Sequence, residues 1–103
     1  MSKASRRKGR AGESEAKNLL LDKDWDVADL TAGCSTEDFW ATDPQGVTWS
    51  VEVKNRKVIS IPTFRNQAIT NAKKKPWMLM VKLEGLGEWL IIRKGKKSTV
   101  WKK

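Results

Sequence analysis

The sequence predicts a single small α/β domain in which helices flank one mixed sheet, with the elements in the order α-β-β-β-α-β-β. Three observations lead there. A segment near the N-terminus is rich in Glu, Ala, Lys and Leu and has neither Pro nor β-branched residues. Residues 47–54 alternate between apolar and polar. A helical segment opened by Pro62 then separates that strand from two more apolar ones. The 103 residues suffice for one modest core, and 39% hydrophobic content with six Trp is too much for a disordered chain.

Taken in order, residues 1–10 read as a basic N-terminal arm or the frayed first turn of a helix, and residues 11–103 as the folded domain. The first helix is expected over residues 11–23. Helical neighbours three and four apart share a face, so Glu13 lies with Ala16, Lys17, Leu20 and Leu21, and Glu15 with Asn18, Leu19, Asp22 and Lys23. The Glu13 stripe is the more apolar and should face the sheet; an acid there either has a partner or interacts with the helix dipole. Trp25 to Leu30 reads as a strand, and Asp38 to Thr42 as the next. Asp43-Pro44-Gln45-Gly46 has type I turn composition.

Register decides what this hairpin gathers. A two-residue loop would set Asp38 opposite Val51, on the wrong face. A three-residue loop, with Gly46 left-handed in a bulge, pairs Asp43 with Val47, Phe39 with Val51 and Asp38 with Glu52. It also gathers Phe39, Ala41, Val47, Trp49, Val51 and Val53 on one apolar face and leaves Trp40 on the other, to stack on a ligand or simply pack. The bulged register serves both core and site. The second helix should run from Pro62 to about Lys74, with Phe64, Gln67, Ala68, Asn71 and Ala72 inward. Trp77 to Leu83 and Glu88 to Arg93 complete the strands.

Composition narrows the chemistry. Twenty-one Lys and Arg against 12 Asp and Glu give a net charge of +9, which implies a polyanionic partner, most often nucleic acid. With no His, no Tyr and one Cys, imidazole catalysis, a tyrosine nucleophile, zinc sites built on His or several Cys, and an internal disulfide are all excluded. No apolar run reaches the roughly 20 residues of a membrane helix and no signal-peptide core opens the chain, so a cytoplasmic location, with no membrane contact, is expected. Asp38, Glu52 and Lys54 remain. Two facing carboxylates repel unless a cation lies between them, and hard divalent ions such as Mg²⁺ take carboxylate oxygens and hold phosphates. A cross-strand salt-bridge ladder is the plainer alternative.

The helix acid, the Asp, the Glu-x-Lys and the following helix together resemble the PD-(D/E)xK nuclease superfamily, and within it the archaeal-type Holliday junction resolvases and their short viral relatives. The likeness includes Arg7-Lys8-Gly9, Thr31-Ala32-Gly33, Val51-Glu52-Val53-Lys54, Ile61-Pro62 and Val81-Lys82. It implies a restriction-endonuclease-like fold and a Mg²⁺-dependent endonuclease, with Mn²⁺ as an alternative ion. Asp38, Glu52 and the Val53 carbonyl would be metal ligands, with Glu13 completing the site directly or through water. Lys54 would hold the attacking water, and Gln67 would be the site-facing amide of the second helix. DNA contacts are expected from Lys3, Arg6, Arg7, Lys8, Arg10, Ser35, Thr36, Arg56 and Lys57. Two symmetric cuts in a four-way junction imply a homodimer. The resemblance further implies roles in DNA recombination and repair in a bacterial, archaeal or virus-infected cytosol, phage included. Glu37 stands where the superfamily has its proline, and Leu30 where the resolvases have a basic residue. Another nuclease of the superfamily, or a basic binding module without catalysis, stays open as an alternative.

Overall fold

The computed structural model describes the backbone of residues 3–29, 37–55, 60–73, 75–83 and 87–102, and their side chains from residue 12 onward except that of Asp29. The elements are α1 (Lys3–Asp22), β1 (Asp26–Asp29), β2 (Phe39–Thr42), β3 (Thr48–Lys54), α2 (Ile61–Ala72), β4 (Trp77–Leu83), β5 (Glu88–Arg93) and β6 (Thr99–Lys102). They form one six-stranded sheet in sequential order. Neighbours are antiparallel except β3 and β4, which run parallel because α2 carries the chain back between them.

The expected order holds, with two differences. Helix α1 begins at Lys3 rather than at residue 11, since Ala, Arg and Lys in that segment are good helix formers. Strand β6 was not anticipated. It follows the turn at Gly95 (φ +72°), pairs Trp89 with Trp101, and sets Trp101 edge-on to Trp25 at 6.0 Å.

The sheet separates two cores. On the α1 side Ala16, Leu19 and Leu20 pack against Phe39, Trp49, Val51, Met78, Met80, Trp89 and Ile91. On the α2 side Phe64 and Ala68 cover Leu79 and Val81, a smaller cluster. Burying each large side chain contributes about 1.5–3 kcal/mol, so the α1 side holds most of the hydrophobic stabilisation. Two expected inward residues lie outside: Leu21 is 51% exposed and Val47 42%. The buried stripe of α1 is Ala16, Leu19 and Leu20, which turns Leu21 to solvent; Val47 leaves the sheet at the hairpin turn.

Candidate active site

The β2–β3 hairpin sets the site. The Gly46 N–H donates to the Asp43 carbonyl at 2.9 Å, Gly46 has φ +91°, and the Asp43 N–H donates to the Val47 carbonyl at 2.9 Å. The Asp43 carboxylate also accepts the N–H groups of Gln45 and Val47 and the Trp49 indole N–H. This is the three-residue loop with a left-handed glycine, and Phe39 pairs with Val51 as that register requires. Regular pairing ends there. The Asp38 N–H still donates to the Val51 carbonyl at 3.1 Å, and Asp38 Oδ2 accepts the Val53 N–H at 2.7 Å. Asp38 thus continues the ladder with its side chain, which holds its carboxylate beside Glu52.

Glu52 comes from the middle of the sheet and is only 5% exposed. A carboxylate this buried needs donors. Asn71 of α2 supplies one, from Nδ2 to Oε1 at 2.8 Å, and Lys54 Nζ lies 3.7 Å from Oε2. Residues two apart on a strand share a face, which is why Glu52 and Lys54 meet. Lys54 is further held 5.3 Å from the centroid of the Phe64 ring.

Charge accumulates here. Burial, followed by the charges of Glu52 and Glu13, raises the Asp38 pKa to about 6 against the opposing Val53 N–H bond and Lys54. Burial likewise pushes Glu52 above the ordinary carboxylate range, although the Asn71 bond and Lys54 oppose it. Two carboxylates held together repel each other unless a cation lies between them.

The remaining predicted residues are distributed as follows. Glu13 is half-buried at the rim; its Oε1 pairs with Lys17 at 3.1 Å, and its charge reaches Asp38. Glu15 turns away to Lys82 of β4, at 2.7 Å. Gln67 is exposed and does not face inward as expected; the buried positions of α2 are Phe64, Ala68 and Ala72. The amide that reaches Glu52 is Asn71, one turn further on and within the same predicted inward set. Glu37, next to Asp38, accepts hydrogen bonds from Trp40 Nε1 (3.1 Å) and Ser50 Oγ (3.0 Å). Burial alone would raise its pKa, but its own backbone N–H, these two bonds and Lys75 together lower it. Lys75 Nζ sits 4.1 Å from the Trp40 ring centroid and covers the indole, so Trp40 packs within this network. Ser35, Thr36, Arg56 and Lys57, and the side chains of Lys3, Arg6, Arg7, Lys8 and Arg10, lie outside the described residues.

The donor set suits a hard divalent cation. Asp38 and Glu52 offer oxygen only, and Mg²⁺ is commonly bound through one or two carboxylates with water completing its shell. Among the described residues no three acidic or thiol side chains close into a metal cage. Glu13 is engaged with Lys17 and acts on Asp38 through its charge.

No protein-family profile matches the sequence. No curated protein matches it either. Among the described residues no helix is long and apolar enough to cross a membrane. A solved structure does match: that of Hjc, a Holliday junction resolvase from the hyperthermophilic archaeon Archaeoglobus fulgidus, at TM-score 0.62 and 20% identity. The match covers 93% of this chain and 84% of that one. The chain therefore has the fold of an archaeal Holliday junction resolvase, with Asp38, Glu52 and Lys54 gathered at the end of its central hairpin.

Proposed function

We propose that this protein is a divalent-metal-dependent endodeoxyribonuclease that cuts branched DNA, specifically a Holliday junction resolvase. The observation that carries this reading is the meeting of Asp38, Glu52 and Lys54 in a resolvase-like fold. The net charge of +9 supports a polyanionic substrate. Asp38 and Glu52, with the Val53 carbonyl beside them, would hold Mg²⁺ or Mn²⁺, and Glu13 would act through an intervening water. The ion would supply Lewis-acid polarisation of the scissile phosphate and lower the pKa of the attacking water.

The chain's own residues do the rest. Lys54, anchored by Glu52 and Phe64, orients the water and offsets charge developing on the phosphate oxygens. The water oxygen bonds to phosphorus, the bond from phosphorus to the departing sugar oxygen breaks, the water's proton passes to solvent, and the departing oxygen takes up a proton from solvent to leave as a hydroxyl. Asn71 is a positioning residue: it fixes Oε1 of Glu52 and leaves Oε2 directed toward Lys54. Lys3, Arg6, Arg7, Lys8, Arg10, Ser35, Thr36, Arg56 and Lys57 are proposed to contact DNA. Two coordinated cuts need two sites, hence a homodimer. The α2 side of β5 and β6 offers a surface for it, with Leu90 and Ile92 partly buried and Val100 45% exposed. A cytoplasmic role in DNA recombination and repair follows from this activity.

The test is incubation of purified protein and Mg²⁺ with labelled four-way junctions, matched linear duplex and single strands. Paired symmetric nicks confined to the junction are expected. Equal cutting of linear DNA keeps a nuclease and removes the resolvase; no cutting with either ion removes both.

A further inference from the structure

Beside the candidate site, the outer face of α2 forms an open groove of about 340 Å³ lined by Thr63, Asn66, Gln67, Thr70 and Asn71. All five side chains are uncharged hydrogen-bonding groups, in a chain of which 32% is charged. A helix face open to solvent ordinarily carries Lys and Glu for solubility. Thr63 is bonded to Ser60 through the two hydroxyls at 2.9 Å, while Asn66, Gln67 and Thr70 hold no side-chain hydrogen bond among the described residues. The groove is continuous with the site, because Asn71 lines it and also donates to Glu52.

We infer that this groove is a nucleotide subsite: it takes the strand that leaves the scissile phosphate and holds it by base-edge hydrogen bonds rather than by charge. The inference rests on the nuclease reading above and names how that same site meets its substrate. Side-chain amides pair with base edges, with Asn and Gln suited to the donor and acceptor of adenine. Base edges are exposed in the grooves of the DNA arms, where such side chains can reach them. A neutral subsite adds sequence preference without adding salt dependence, whereas each Lys or Arg on a phosphate adds about 0.9 to the salt slope. The cationic surface would supply affinity, and α2 would choose the nucleotide.

The experiment measures binding of the full chain to a four-way junction in EDTA at several salt concentrations, together with Mg²⁺ cleavage of junctions varied in sequence around the cut. For Asn66→Ala and Thr70→Ala we expect affinity to fall roughly 2- to 10-fold each at every salt concentration, with an unchanged slope, and the preferred cut position to broaden. Asn66→Lys, a change that does not threaten an exposed helix position, should tighten binding and steepen the slope by about 0.9. Unchanged affinity and cut position in the alanine variants, or an unchanged slope in Asn66→Lys, overturns the subsite. Junction cleavage that persists beside such unchanged variants leaves the nuclease reading intact. Binding without any cleavage removes that reading, and the affinities still decide the groove.

Discussion

The two faces of the sheet are built to different rules. Against α1 lie four indoles, of Trp25, Trp49, Trp89 and Trp101, with the Arg93 guanidinium 5.7–5.9 Å from three of them. Against α2 the apolar cluster is small, and buried among its neighbours are Ser50 and the carboxylate of Glu52. One face holds the fold together, and the other tolerates desolvated charge because the first supplies the stability. The pleat makes this division possible, since alternate residues of β3 serve the two faces: Trp49 and Val51 the core, Ser50, Glu52 and Lys54 the site. Substitutions on the two faces should therefore separate activity from stability.

The largest effect should come from Glu52→Gln, which keeps the shape and an acceptor for Asn71 but removes the charge. DNA cleavage is expected to fall on the order of 10³-fold, while the melting temperature stays or rises. A variant that unfolds instead would place Glu52 among the structural residues. On the opposite face Trp89→Ala opens a cavity in the larger core and should cost about 3–5 kcal/mol in chemical denaturation. Whatever protein remains folded should keep the same dependence of cleavage on ion concentration.

Asp38 lets pH sharpen the comparison. Its folded-state pKa, near 6, stands above the ordinary 3.8. Between those values the folded protein binds more protons than the unfolded chain, so this group's contribution to stability falls as pH rises through that window and is flat above it. Asp38→Asn retains an acceptor for the Val53 N–H and removes the penalty. It should raise stability at pH 7 by about 1–3 kcal/mol, with the gain vanishing below about pH 4. Equal stability of the two proteins across that range would mean that the carboxylates are not in conflict. The same raised pKa predicts that cleavage increases as pH rises past 6, as protons cease to compete for Asp38.

Most of this division was legible in the sequence. Strict alternation over β3 and the turn chemistry of Asp43 to Gly46 determine a register, and the register alone puts Asp38 beside Glu52. Short-range chemistry of that kind survives folding. What did not survive were choices between adjacent positions on a helix. Leu21 and Gln67 belong to inward stripes by spacing, yet both face solvent; Leu19, from the neighbouring stripe, takes the buried place on α1, and on α2 it is Asn71 of the expected inward set that reaches Glu52. Glu37 carried no signal beyond its place before Asp38. Its role depends on Ser50 and Lys75, far away in sequence. Strand β6 is four residues long, too short for its alternation to stand out in the sequence; it pairs with β5, Trp101 opposite Trp89, and sets Trp101 against Trp25.

The smallest expected effect lies where the two faces join. Gly12 of α1 is buried, and a Cβ there would meet Cβ of Asn55 at 2.8 Å, one residue beyond Lys54. That is a contact with the root of a side chain, which cannot swing aside. Gly12→Ala gains about 1 kcal/mol in helix propensity and loses about 1–3 through overpacking, for a net loss of about 1 kcal/mol. The geometric consequence is larger than the energetic one: α1 must lift from the end of β3 and carry Glu13 away from Asp38. We therefore expect Gly12→Ala to melt only a few degrees below the parent protein and yet cut DNA several-fold more slowly, with Gly12→Ser behaving alike. A parallel loss of stability and activity would make Gly12 a packing residue. Full activity would show that Glu13 can be displaced without consequence, and would confine the chemistry to the α2 side.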